Sequence, residues 1–177
     1  VIVAAGSSRR MGGEDKIFAS IGGQPLLAGV VNVFQGCDSI DRIVLVLSPQ
    51  NLDRGRQLAV EHKWSKVTDI CPGGERRQDS VKNGLAFLGS CDWVVIHDGA
   101  RPLVNCHLID GGLESARETG AAVAGVPVID TIKEVDENHM TVNTLERRRL
   151  WSIQTPQVFR FDIISEAYRG NTEEVTD

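Results

Sequence analysis

A run of small residues leaves an apolar strand and meets fixed cations: Val1-Ile2-Val3-Ala4-Ala5-Gly6-Ser7-Ser8-Arg9-Arg10-Met11-Gly12, with Lys16 shortly after. Small side chains let backbone N–H groups approach an anion closely, and Arg10 and Lys16 stand where they can neutralise its charge. The loop lacks the Gly-Lys-Ser/Thr of a Walker A loop and the G-x-G-x-x-G spacing of dinucleotide binders. The chemistry that fits is the holding of a nucleoside triphosphate. The plainer alternative is a strand end followed by ordinary surface cations.

Two further clusters bear chemistry. In Gly73-Gly74-Glu75-Arg76-Arg77-Gln78-Asp79-Ser80 the paired glycines permit a tight turn whose backbone can read a base edge, and Ser80 can donate to a base carbonyl. Asp79 or Ser80 also suits the N-cap of a helix running to Leu88, and the two roles are compatible. In His97-Asp98-Gly99-Ala100-Arg101-Pro102 a carboxylate at a strand end can hold Mg²⁺ or a substrate hydroxyl, and Arg101 can grip a phosphate. A structural Asp–Arg pair is equally open there. Thr131, Arg147 and Thr155 add hydroxyls and a cation further on, although Arg147-Arg148-Arg149 would ordinarily be a solvated run.

These clusters need elements to position them. Apolar β-branched runs at 1–5, 42–48, 66–71, 92–97 and 121–128 alternate with helical spacing at 25–34, 52–62, 79–88 and 108–118. Such alternation implies β-α-β units with right-handed crossovers and a mostly parallel sheet covered by helices on both faces. Ligands of such sheets sit at the carboxyl ends of the strands, so the three clusters should surround one cleft. The stretch 131–148 departs from the pattern: two alternating segments flank the turn-like Asp136-Glu137-Asn138-His139 and read as a β-hairpin arm. A lone hairpin is marginal in water, so it should pack on a second subunit or fold back on its own domain.

Composition narrows the class. The 177 residues suit one domain, with both ends expected to be trimmed. Hydrophobic residues make up 41% and aromatics 5%, the aliphatic bias of a buried parallel sheet. A net charge of −5 argues against general nucleic-acid binding and makes local cation clusters look like a site for a small anion. No run approaches a membrane span, and no secretory signal precedes the first strand. Cys37, Cys71, Cys91 and Cys106 lie far apart without a C-x-x-C pair, which suggests neither a zinc site nor a disulfide framework; a reducing cytoplasm fits.

Taken in order, the segments Ala-Ala-Gly-x-x-x-Arg-Met-Gly with Lys16, Gly-Gly-Glu-Arg-Arg-x-Asp-Ser-Val, His-Asp-x-Ala-Arg-Pro, Pro-Val-x-Asp-Thr-Ile-Lys and Leu-Trp-x-x-Gln-Thr-Pro-Gln-Val-Phe resemble the 2-C-methyl-D-erythritol 4-phosphate cytidylyltransferases of the non-mevalonate isoprenoid pathway. The resemblance implies a Rossmann-like, three-layer α/β nucleotidyltransferase fold with a protruding hairpin arm, Mg²⁺ dependence and a homodimer made through the arm. It implies that Ala4, Ala5, Gly6, Gly74 and Ser80 hold the cytidine of CTP, with Arg10 and Lys16 as catalytic cations on the triphosphate. Asp98, Arg101, Thr131, Arg147, Thr155 and Thr176 would hold methylerythritol phosphate, several of them across the dimer, and Asp98 is the candidate metal ligand. Gly99 stands where that family usually has alanine, and Ser8 where it often has glycine. Ribitol-5-phosphate cytidylyltransferases and a non-catalytic nucleotide-binding module are the alternatives.

Overall fold

A computed structural model of the chain describes residues 1–6 and 15–170. Strand β1 (Ile2–Ala4) precedes a small hairpin, β2 (Ser20–Ile21) and β3 (Gln24–Pro25), followed by α1 (Leu26–Gly36). There follow β4 (Ile43–Leu47), α2 (Leu52–Glu61), β5 (Val67–Pro72), α3 (Arg77–Leu88), β6 (Trp93–Asp98), α4 (Cys106–Thr119) and β7 (Ala121–Pro127). The arm strands β8 (Lys133–Val135) and β9 (Thr141–Thr144), then β10 (Trp151–Arg160) and α5 (Phe161–Gly170), complete the described chain. The main sheet has the order β5-β4-β1-β6-β10-β7.

Side-chain alternation explains how the sheet is covered. Ile43, Leu45 and Leu47 of β4 join Ile2, Val95 and the apolar sides of α1, α2 and α4 in one cluster. The intervening Val44 and Val46 join Val94, Ile96 and the α3 residues Val81, Leu85 and Leu88 in the other, on which Ile164 and Tyr168 of α5 pack. Successive residues of a strand face opposite ways, so a continuous apolar run such as Ile-Val-Leu-Val-Leu serves both layers. Helix α3 lies so close to the sheet that a Cβ on Gly84 would fall 2.5 Å from Val1 Cγ1. Glycine is required there by proximity rather than by backbone conformation.

The parallel part matches the expectation: β5, β4, β1 and β6 run parallel. Strand β10 does not follow from β-α-β alternation. It inserts antiparallel between β6 and β7. Its apolar pattern is interrupted by Thr155-Pro156-Gln157, and the stretch carries no strand assignment until the two flanking strands supply partners.

The arm is a separate two-stranded sheet. Asp136 makes its turn, with Oδ1 accepting from the backbone N–H groups of Asn138 and Met140, both at 2.9 Å, and His139 adopts φ 62°. All strand residues of β8 and β9 are exposed.

One expectation is overturned. Cys37 and Cys106 form a disulfide, with their Cα atoms 5.5 Å apart at a sequence separation of 69. Cys37 follows α1 and Cys106 opens α4, and these helices share one face of the sheet. Tertiary packing makes the pair, which is why spacing along the chain gives no sign of it. Cys71 and Cys91 are free thiols.

Candidate active site

The carboxyl ends of β1, β4, β5 and β6 open onto a cleft of about 960 Å³. Its lining includes Ala4, Ala5 and Gly6 from the first strand end, Lys16 from the 3₁₀ turn Lys16–Phe18, and Gly74 and Ser80 around the start of α3. Asp98 and Arg101 line the same cleft from the end of β6. The three sequence clusters therefore do share one address. Sequence reading missed the fourth contributor, Ser48-Pro49-Gln50 after β4, because these residues carry no motif. A second hollow, of about 640 Å³, sits at the amino ends of the strands and is lined by none of the assigned residues.

The glycine pair is held by packing and by Ser80. A Cβ on Gly73 would lie 2.2 Å from Ala5 Cβ, so only glycine lets this turn close against the end of β1. The Gly74 N–H donates to Ser80 Oγ at 3.1 Å, and Ser80 in turn donates to the Arg76 carbonyl at 3.2 Å. Neither Asp79 nor Ser80 is the N-cap. Helix α3 starts at Arg77, Arg76 is its cap residue, and Asp79 accepts from the Arg76 N–H at 3.2 Å from the third helical position. Capping at Arg76, three residues before Asp79, frees the Ser80 hydroxyl to brace the turn. Gly99 is similarly constrained: a Cβ there would lie 2.8 Å from Ala4 Cβ, so this chain brings β1 and the Asp98 turn closer than alanine would allow.

Asp98 lies between two guanidinium groups. Arg77 Nε donates to Oδ1 at 3.0 Å and Arg101 Nε to Oδ2 at 2.9 Å. Burial pushes the carboxyl pKa up, but the Arg77 and Arg101 charges and hydrogen bonds outweigh it and hold the group below its ordinary value. Arg77 also donates from Nη2 to Gln157 Oε1 at 3.2 Å.

Behind this cluster runs a buried relay. The Arg101 carbonyl can only accept, so the 3.0 Å contact puts the His97 proton on Nε2. His97 Nδ1 then accepts from the Thr155 hydroxyl at 2.9 Å, and Thr155 Oγ1 accepts the Asp98 N–H at 3.3 Å. Burial drives the His97 pKa down to about 4, against the raising effect of its bond to the Arg101 carbonyl. The imidazole is neutral at physiological pH and both its nitrogens are committed. His97, Arg77 and Gln157 are the residues that sequence reading passed over; all three lie inside the quoted motifs, but nothing local reveals their partners.

The remaining expectations divide. Thr155 is buried, and its hydroxyl is engaged by His97 and Asp98. Thr131 and Arg147 lie at the base of the arm, are exposed, and do not line the cleft; Arg147 Nη1 donates to the Ile129 carbonyl at 2.6 Å. Arg10 and Thr176 lie outside the described residues. For a metal, both Asp98 oxygens are on arginines, and no group of three His, Cys, Asp or Glu clusters among the described residues. That donor set does not fit a protein-built Mg²⁺ site, which draws on one or two carboxylates free to coordinate together with substrate phosphates.

A sheet covered on both faces, with a glycine-lined cleft bearing cations at its carboxyl edge, is the arrangement of a nucleotide-binding α/β enzyme, and its likeness to solved structures gives the nucleotidyltransferase class. Within that class the whole chain, residues 1–177, matches the family described as 2-C-methyl-D-erythritol 4-phosphate cytidylyltransferase, and it belongs to that family. It is 56% identical over 169 residues to the enzyme of that name from Dehalococcoides mccartyi, covering 96% of this chain and 74% of the relative. The Alkaliphilus oremlandii enzyme of the same name is 42% identical over 171 residues, 95% of this chain and 72% of the relative. Among solved structures, the 4-diphosphocytidyl-2C-methyl-D-erythritol synthase of Anaerococcus prevotii superposes with a TM-score of 0.85 at 25% identity, covering 99% of this chain and 78% of that one.

Proposed function

We propose that this protein transfers the cytidylyl group of CTP to 2-C-methyl-D-erythritol 4-phosphate, releasing pyrophosphate, in isoprenoid precursor biosynthesis. The observation that carries the reading is the convergence in one cleft of Ala4, Ala5, Gly6, Lys16, Gly74 and Ser80 with Asp98 and Arg101. The first group suits the nucleotide and the second the phosphorylated polyol.

An oxygen of the acceptor phosphate attacks the α-phosphorus of CTP in line, and the bond to the pyrophosphate oxygen breaks. A phosphate monoester has a second pKa of about 6, so the nucleophile is largely ionised at neutral pH and needs no general base. The committed, neutral His97 agrees with that. Catalysis then rests on charge neutralisation and positioning: Lys16 and Arg10 at the triphosphate, Arg101 at the acceptor phosphate. Mg²⁺ brought with the triphosphate would supply further neutralisation of the phosphates; both Asp98 oxygens are already held by arginines.

A homodimer built through the arm completes the site. Val135, Met140 and Val142 of the arm region and Val123, Val126, Ile129 and Trp151 beside it are between 46% and 82% exposed, more apolar surface than a lone chain usually leaves in water. Thr131 and Arg147, absent from their own cleft, are then placed to serve the partner's. No helix among the described residues is long and apolar enough to cross a membrane. We assign the protein to the cytoplasm, where CTP is made and used. Pyrophosphate release from CTP, followed with methylerythritol 4-phosphate, with ribitol 5-phosphate and with neither, tests the reaction. Release with the first acceptor alone is expected, and release with ribitol 5-phosphate alone would refute the assignment.

A further inference from the structure

Arg77 opens α3 directly behind the Gly73–Gly74 turn, in a segment whose sequence reads as nucleotide-binding. Its guanidinium nevertheless leaves that segment for Asp98 (3.0 Å) and Gln157 (3.2 Å). Arg76 does the reverse and folds back on Asp79, through Nε at 3.0 Å and Nη2 at 2.8 Å. Two adjacent arginines of one motif thus have separate tasks. One closes the start of the helix, and the other crosses from the nucleotide side of the cleft to the acceptor side.

Sheet register explains the crossing. Gln157 pairs with Ile96, and Asp98 is two residues beyond Ile96, so both side chains stand on the face covered by α3. Gln157 is 5% exposed and anchors Arg77 from β10. Arg101 occupies the second oxygen of the same carboxylate, so two guanidinium groups are set by one Asp98 side chain. The trio carries one surplus positive charge beside the position assigned to the acceptor phosphate.

We propose that Arg77 is a positioning residue for the acceptor phosphate: anchored by Gln157, it fixes the Asp98 carboxylate and through it the Arg101 guanidinium. The inference rests on the reaction proposed above. Lysine keeps the charge but cannot reproduce a planar fork that engages two acceptors at once, so Arg77→Lys separates geometry from charge. Gln157→Leu leaves every charge in place and removes only the anchor.

Steady-state kinetics of the protein and both variants, with CTP and methylerythritol 4-phosphate, supply the test. Each variant is expected to raise KM for the acceptor by about tenfold while KM for CTP changes by less than about twofold. A loosened helix start would raise KM for CTP as well, because α3 also carries Ser80. Parallel rises in both constants, or no change in either, would overturn the proposal. Hydrogen exchange of the ligand-free protein gives a second readout that needs no substrate: faster exchange in both variants across residues 99–105, with 81–88 unchanged, is expected, and unchanged exchange at 99–105 would also overturn it. Wild-type protein inert with both substrates would refute the proposed reaction, and the exchange result would still decide the role of Arg77.

Discussion

Replacing Thr155 by valine keeps the shape of a buried side chain and deletes its hydroxyl. That hydroxyl donates to His97 Nδ1 at 2.9 Å and accepts the Asp98 N–H at 3.3 Å. Each buried polar group left without a partner costs about 1–3 kcal/mol. The shorter bond justifies about 2 kcal/mol and the longer, near the limit for N–H···O, about 1 kcal/mol. Burying a methyl in place of the hydroxyl returns about 0.8 kcal/mol, for a net loss near 2 kcal/mol. At this chain length that corresponds to a fall in Tm of about 4–8 °C. Urea unfolding and calorimetry without ligand measure it, with Thr155→Ser, which keeps the hydroxyl, as the control expected to lose about 1 kcal/mol or less. A valine variant within 0.5 kcal/mol of wild type but devoid of turnover would show that the hydroxyl serves substrate alone, and the relay would be wrong.

Four other outcomes are expected. Lys16→Ala should lower kcat by ~100-fold or more with Tm unchanged, since it removes the exposed cation proposed for the transition state; near-normal turnover would cancel its assigned role. His97 has a folded pKa of about 4, below its unfolded 6.5, so its contribution to stability is intact above pH 6.5 and is lost as pH falls towards 4, by about 1.4 kcal/mol per pH unit. His97→Gln should flatten urea stability across that window, whereas Asp98, already held below 3.8, loses its contribution only at lower pH; an unflattened profile would remove His97 as the cause. Deleting residues 132–145 should leave a monomer in sedimentation with turnover reduced at least ~10-fold, and a deleted form that stays dimeric would refute the arm's role. Reducing the Cys37–Cys106 bond, which closes a loop of 69 residues, should cost about 4 kcal/mol in unfolding free energy, and equal stability with and without dithiothreitol would show that the bond does not constrain the unfolded chain.

Much of the candidate site was legible because its signals are local. The small residues of Ala4-Ala5-Gly6, the Gly73–Gly74 pair and the acid and cation after β6 each mark a strand end, and parallel strands bring their ends to one edge. The same locality misled at Asp79: an acidic residue near a helix start reads as a cap, although it sits three positions too late and Arg76 takes that place. The expectation of no disulfide framework failed for the opposite reason, since the packing of α1 against α4 joins Cys37 to Cys106 and no pattern along either helix reports it.

By itself the sequence determined the alternation of elements, the apolar runs that face both layers, the hairpin arm and the ordered motifs of a cytidylyltransferase, all of which arise from interactions within a few residues or from side-chain period. Tertiary structure alone decided that β10 runs antiparallel between β6 and β7, that Thr155 is buried against His97, and that Arg77 crosses the cleft to Asp98 and Gln157. Those partners lie 58, 21 and 80 residues apart. Over such distances the pairing is chosen by which strand and helix surfaces fit together, and no short stretch of chain carries that information.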